Sequence, residues 1–123
     1  MSMKAQLRQK GKITILALDG HTEYQNSEEF RTNLIKIYEK HGADNIVIDL
    51  AGLDFVGSSG IRNFVDALKE VNQINSKKPV LCGVKSEFRK IFHVMAKDTL
   101  NIFESEDKAI ETLIPENKKK SNA

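Results

Sequence analysis

Two serines between two glycines, Gly57-Ser58-Ser59-Gly60, are the residues of this 123-residue chain whose type and spacing most invite chemistry. A hydroxyl can act as a nucleophile, but only with a base and an oxyanion hole beside it. The stretch is not a G-x-S-x-G elbow, and no His–Asp partner set stands out for it. The three histidines are His21, His41 and His93. None is spaced from another His, Cys or carboxylate as a metal site requires. His41 falls at the end of a helical pattern, where it caps carbonyls; His93 lies beside an apolar stripe, and His21 follows Gly20 in a loop. Glycines 52, 57 and 60 form neither a G-x-x-x-x-G-K-[ST] loop nor a G-x-G-x-x-G turn, which leaves no nucleotide-phosphate cradle. Cys82 lies inside an apolar run and reads as a small core residue. No catalytic residue, cofactor or metal is therefore assigned.

Two roles remain for the serines. In the structural one, Ser58 or Gly57 is the N-cap of a helix, and Ser59 and Gly60 are small residues that permit close packing. In the functional one, a serine in a helix's first turn presents its hydroxyl beside unpaired backbone N–H groups. A phosphate there adds about 1.5–2 negative charges at the positive helix end, with little cost to the fold. The same charge is badly placed in an apolar partner interface. Such a site suits a binding switch, with Ser58 the better cap or spacer and Ser59 the better switch.

The elements that must position these serines can be read in order. Residues 4–10 alternate weakly, as an edge strand does, and Gly11-Lys12 turns the chain. Ile13–Leu18 is apolar on both faces, as a central strand is, and Asp19-Gly20 ends it. After a polar connection over 21–26, Asn26 or Ser27 caps a helix with Glu28-Glu29 in its first turn. Phe30, Leu34, Ile37 and His41 form its stripe, with Ile35 and Tyr38 beside it, and Gly42 stops it. Asn45–Leu50 is the clearest strand. A second helix beginning near Ile61 buries Ile61, Phe64, Val65, Leu68 and Val71 and ends near Asn75-Ser76. Pro79–Val84 is a short strand. Ser86 caps a helix carrying Phe88, Ile91, Phe92 and Met95. Leu100–Phe103 is a strand or extended segment. Ser105 caps a last helix with Glu106 and Asp107 in its first turn and Ala109, Ile110, Leu113 and Ile114 on its apolar face, stopped by Pro115. The alternation predicts an α/β fold: a mixed, mostly parallel sheet of four to five strands with four helices. One domain spans 1–115, and 116–123 is a disordered basic tail.

At 40% hydrophobic and 29% charged, the chain reads as an ordinary globular protein. Its net charge of +2 includes the cluster Lys118-Lys119-Lys120, so the body is near neutral and offers no nucleic-acid-binding face. One cysteine allows no intramolecular disulfide. Neither a signal-peptide core nor an apolar run of the about 18 residues that span a bilayer is present. A cytoplasmic protein without membrane insertion is expected.

Asp49-Leu50-Ala51-Gly52-Leu53-Asp54-Phe55-Val56-Gly57-Ser58-Ser59-Gly60-Ile61 resembles the signature of the STAS domain, found in sulphate transporters and bacterial anti-sigma factor antagonists. Ile15–Gly20 is similar to that family's second strand, and the α/β order matches over roughly residues 4–114. The resemblance implies a compact domain without catalytic activity. It also implies an anti-sigma factor antagonist in a partner-switching system. There the partner is a serine kinase that also sequesters a sigma factor, and a PP2C-type phosphatase reverses the phosphorylation. By the family's pattern Ser59 is the phosphoacceptor. Gly57, Ser58, Ser59, Gly60 and Arg62 are the expected partner-binding residues, Arg62 because it lies one turn after the serines, placed to pair with a phosphate. Gly57 departs from the pattern, standing where the family usually has Asp. This favours a second reading, a non-phosphorylated STAS scaffold or adaptor in a larger signalling or transport complex. A small-molecule or nucleotide sensor ranks third, and a serine hydrolase last.

Overall fold

The computed structural model describes residues 3–22, 27–41, 45–55, 57–74, 79–96 and 100–113; the side chains of Met3, Thr22, Ser27, Gly57, Ser58, Ser59, Ile74 and Ala96 are not among them. The elements are β1 (Met3–Lys10), β2 (Ile13–Thr22), α1 (Ser27–His41), β3 (Asn45–Phe55), α2 (Gly57–Ile74), β4 (Val80–Cys82), α3 (Ser86–Ala96), β5 (Asn101–Phe103) and α4 (Glu106–Leu113). They form a five-stranded sheet in the order β1-β2-β3-β4-β5. β1 pairs antiparallel with β2, and every other pair is parallel. The expected α/β order and mostly parallel sheet are both present.

Each crossover from β2 to β5 advances one strand in the same direction. Right-handed crossovers of that kind place their helices on one face. α1, α2 and α3 accordingly share one core layer with the sheet, built on Leu16, Leu34, Ile48, Phe64, Leu68 and Phe92. α4 follows the last strand and closes the opposite face, where Ala109 packs on Ile13, Ile15, Val47, Val80 and Cys82. β2 is buried on both faces, as its unbroken apolar run requires. Cys82 is fully buried, and burial pushes its thiol up to about 12, the state of an inert core residue.

Several boundaries differ from the sequence reading. β2 does not end at Asp19-Gly20 but runs to Thr22, so His21 lies in a strand and not in a loop. The reason is a bulge: Ala17 pairs with Asp49, but Asp19 pairs with Gly52, so β3 carries one extra residue there. The bulge also shifts the parity of β3. Ile46, Ile48 and Leu50 face the α1–α3 layer, and beyond the extra residue Leu53 and Phe55 face it too. In α1 the buried stripe is Phe30, Leu34 and Tyr38, with Ile35 and Ile37 half-buried. Ile91 of α3 is exposed, and Phe92 carries that helix's packing. β4 stops at Cys82 because Gly83 turns at φ 72°. The expected cap at Ser105 is formed: its hydroxyl accepts the Lys108 N–H at 3.3 Å. The readings at Asn26, Gly42, Asn75-Ser76, Ile114, Pro115 and 116–123 lie outside the described residues, as does the side chain of Ser27.

Gly83 allows a direct test of this close packing. A Cβ there would lie 2.8 Å from Asp49 Oδ1 and 3.0 Å from the Ala51 backbone nitrogen, on a left-handed backbone. Gly83→Ala is expected to cost about 1–3 kcal/mol in urea unfolding. An unchanged midpoint would show that the β3–β4 approach is looser than described.

Candidate functional site

The signature stretch spans the hand-over from β3 to α2. Asp54 and Phe55 close β3, and α2 opens at Gly57. The sequence reading started this helix near Ile61 and made Ser58 or Gly57 its cap. Both are instead inside the first turn, so neither caps it. Gly-Ser-Ser-Gly has poor helix propensity, and the packed face that follows overrides it. Ile61, Phe64, Val65, Leu68 and Val71 are all buried, as their spacing predicts. Ser59 is thus the third residue of the helix, within the turn whose N–H groups have no intrahelical acceptor.

The first turn of α2 carries no acidic residue. α1 has Glu28 and Glu29 there, α3 has Glu87, and α4 has Glu106 and Asp107. The positive end of the 18-residue α2 is therefore left without an opposing side-chain charge in that turn.

An aromatic cluster holds the junction from below. The Phe55 ring meets Phe64 and Phe88 edge-on, both at 5.2 Å, and Phe92 at 5.3 Å. Phe64 in turn stacks on Phe30 of α1 at 4.8 Å. Asp54, turned outward by the bulge, is ion-paired with Lys85, the residue just before α3. The ends of β3 and β4 and the starts of α2 and α3 are thereby tied together, at the carboxyl ends of parallel strands where α/β folds place their sites. Neither Lys85 nor the ring cluster was singled out from sequence; Asp54 and Lys85 lie 31 residues apart and share no motif.

Of the proposed partner-binding residues, Gly57, Ser58, Ser59 and Gly60 are consecutive in the first turn, and Gly60 is buried. Arg62 is exposed one turn on, at the rim of a shallow groove of about 310 Å³ between α2 and α3. Val65, Asp66, Lys69, Val94 and Met95 line the rest of it. Val94 is 64% exposed, so an apolar side chain faces solvent beside the charged rim. Among the described residues, no group of three His, Cys, Asp or Glu side chains could hold a metal ion, and no helix is long and apolar enough to cross a membrane.

The chain is 28% identical over 92 residues to the putative anti-sigma factor antagonist BtrV of Bordetella bronchiseptica, covering 75% of this chain and 78% of that one. Its fold is similar to an anti-sigma factor antagonist from Mycobacterium paratuberculosis, with TM-score 0.73 and 16% identity over 90% of this chain and 93% of the other. It is also similar to the Bacillus cell fate determinant SpoIIAA in its phosphorylated form, with TM-score 0.58 and 20% identity over 89% and 99%. The model of the STAS domain matches residues 4–109. With the sheet order, the β3–α2 junction and this match in agreement, the chain belongs to the STAS domain family, a binding domain and not an enzyme.

Proposed function

We propose that this protein is an anti-sigma factor antagonist whose hold on its anti-sigma partner is switched by phosphorylation of Ser59. The observation that carries the proposal is the α2 first turn: a serine at its third position, in a turn without acid, beside an exposed rim that includes Arg62. A phosphate at Ser59 meets a helix end that favours negative charge, so the domain stays folded while its outer surface changes. The partner supplies the discrimination, because it must desolvate that charge to bind. BtrV, the Mycobacterium protein and SpoIIAA bear the name of anti-sigma factor antagonist, and SpoIIAA has a phosphorylated form. The partner in this reading is a serine kinase that is itself the anti-sigma factor, and a PP2C-type phosphatase resets the switch.

Gly57 favours a second reading, a STAS scaffold that is never phosphorylated, because it leaves no carboxylate directly before the serines to orient them. The two readings separate in one experiment. The protein is incubated with its cognate kinase and ATP, and the phosphate is mapped by mass spectrometry. The switch predicts a single phosphate on Ser59 that is lost in Ser59→Ala. A complex that forms and stays unmodified would favour the scaffold; neither complex nor phosphate would sink both readings.

A further inference from the structure

Large apolar side chains are exposed at Leu7, Ile91 and Val94 among the described residues. Ile91 and Val94 lie three positions apart in α3 and so share one of its faces. That face borders the groove between α2 and α3, which is lined on its apolar side by the buried Val65, the half-buried Met95 and Val94 itself. The charged side comes from α2, where Arg62, Asp66 and Lys69 line the same groove, two cations and one anion. Arg62 and Lys69 stand two turns apart on one face of the helix, about 10 Å along its axis, with Asp66 between them. Glu70, the next acid of α2, is taken by Arg31 of α1 at 2.8 Å and does not line the groove. On α3, Glu87 and Lys90 are both exposed and offset each other. An apolar strip thus runs beside a rim of net positive charge.

Charge separates the three candidate occupants. Residues 114–123 of the chain itself carry Lys118, Lys119 and Lys120 against the single acid Glu116, the same sign as the rim. A second copy docked through this face would bring four cations and only two anions together. An acidic amphipathic helix of another protein satisfies both sides of the groove, because such a helix lays its apolar face into an apolar channel and keeps its charges at the edge.

We propose that the α2–α3 groove is the docking site for an acidic amphipathic helix of the anti-sigma partner. Its apolar residues pack on Val65, Val94 and Met95, and two of its acids, spaced two helical turns apart, face Arg62 and Lys69. The identity of the partner rests on the antagonist reading given above, whereas the chemistry of the docked helix rests on the groove. The docked helix also connects the groove to position 59. Ser59 and Arg62 are three positions apart in α2 and therefore neighbours on its surface. With Arg62 engaged by the partner's acid, a phosphate at Ser59 meets a like charge and has no counter-ion of its own.

Calorimetric titration of the cognate anti-sigma factor into the full chain tests the docking site with three single variants. Asp66→Asn removes the only acid among the described lining residues, and it should tighten binding about two- to fivefold at low salt, a gain that fades as salt is added. Val94→Asp sets a carboxylate in the apolar strip and should weaken binding about tenfold or more. Both side chains are exposed in the free protein, so both variants should melt close to the wild type. Ser59→Asp, titrated beside them, reads the switch separately. Asp66→Asn that binds no more tightly than wild type would overturn the acidic occupant, and Val94→Asp that binds as wild type would overturn the groove as its site, whatever Ser59→Asp does. If Ser59→Asp binds as wild type while the two groove variants shift as stated, the switch fails and the docking site stands. A wild-type chain that forms no complex would remove both.

Discussion

Replacing Ser59 by aspartate is expected to weaken the complex with the anti-sigma partner by about 2–4 kcal/mol, roughly thirty- to a thousand-fold, with no loss of thermal stability. The two halves of this expectation have different causes. The fold tolerates the charge because the third residue of α2 lies in a turn that has no acid of its own, where an anion is stabilising by about 0.3–1 kcal/mol. In the proposed switch the partner covers the same turn, and an unpaired carboxylate in an interface loses its hydration without a compensating ion. Ser59→Ala separates charge from the loss of the hydroxyl. It should bind about as the wild type does and should no longer respond to the kinase. Melting curves and calorimetric titration of both variants check the pair. Aspartate that binds like wild type would remove the switch and leave the scaffold.

Phe64→Ala is expected to cost about 3–5 kcal/mol, a large share of the roughly 5–15 kcal/mol available to a domain of this size. Phe64 is 2% exposed. It stacks on Phe30, meets Phe55 edge-on and reaches Phe92 at 6.0 Å, so one ring joins α1, β3, α2 and α3. Its loss leaves a cavity at the crossing of three helices, where the sheet beneath restricts collapse. The urea midpoint measures the effect, and a change below about 1 kcal/mol would mean that the ring cluster is not what seats the junction. Phe55 rests on the same ring, so a folded Phe64→Ala protein should also bind its partner less tightly.

The α2 stripe was readable because Ile61, Phe64, Val65, Leu68 and Val71 follow the 3.6-residue period, and all five are buried. The two faces of β2 were readable for the corresponding reason at period two. The start of α2 was not, because Gly57, Ser58, Ser59 and Gly60 have the local preferences of a loop and are made helical by the packing that follows them. The path of β3 beyond Leu50 was also hidden. A bulge has no reliable residue signature, yet it decides that Phe55 points into the core and Asp54 out of it. The ion pairs Asp54–Lys85 and Arg8–Glu106 join residues 31 and 98 positions apart and exist only once the sheet has formed. Sequence motif reading therefore located the β3–α2 junction and its serines, whereas the tertiary structure supplied what holds that junction in place.

The most direct measurement of the central claim is a calorimetric titration of the cognate anti-sigma partner with two preparations of this protein, one unmodified and one phosphorylated at Ser59. The account predicts a stable complex with the unmodified protein and a loss of affinity of roughly a hundredfold or more on phosphorylation, with both preparations folded. Equal affinities for the two would contradict it.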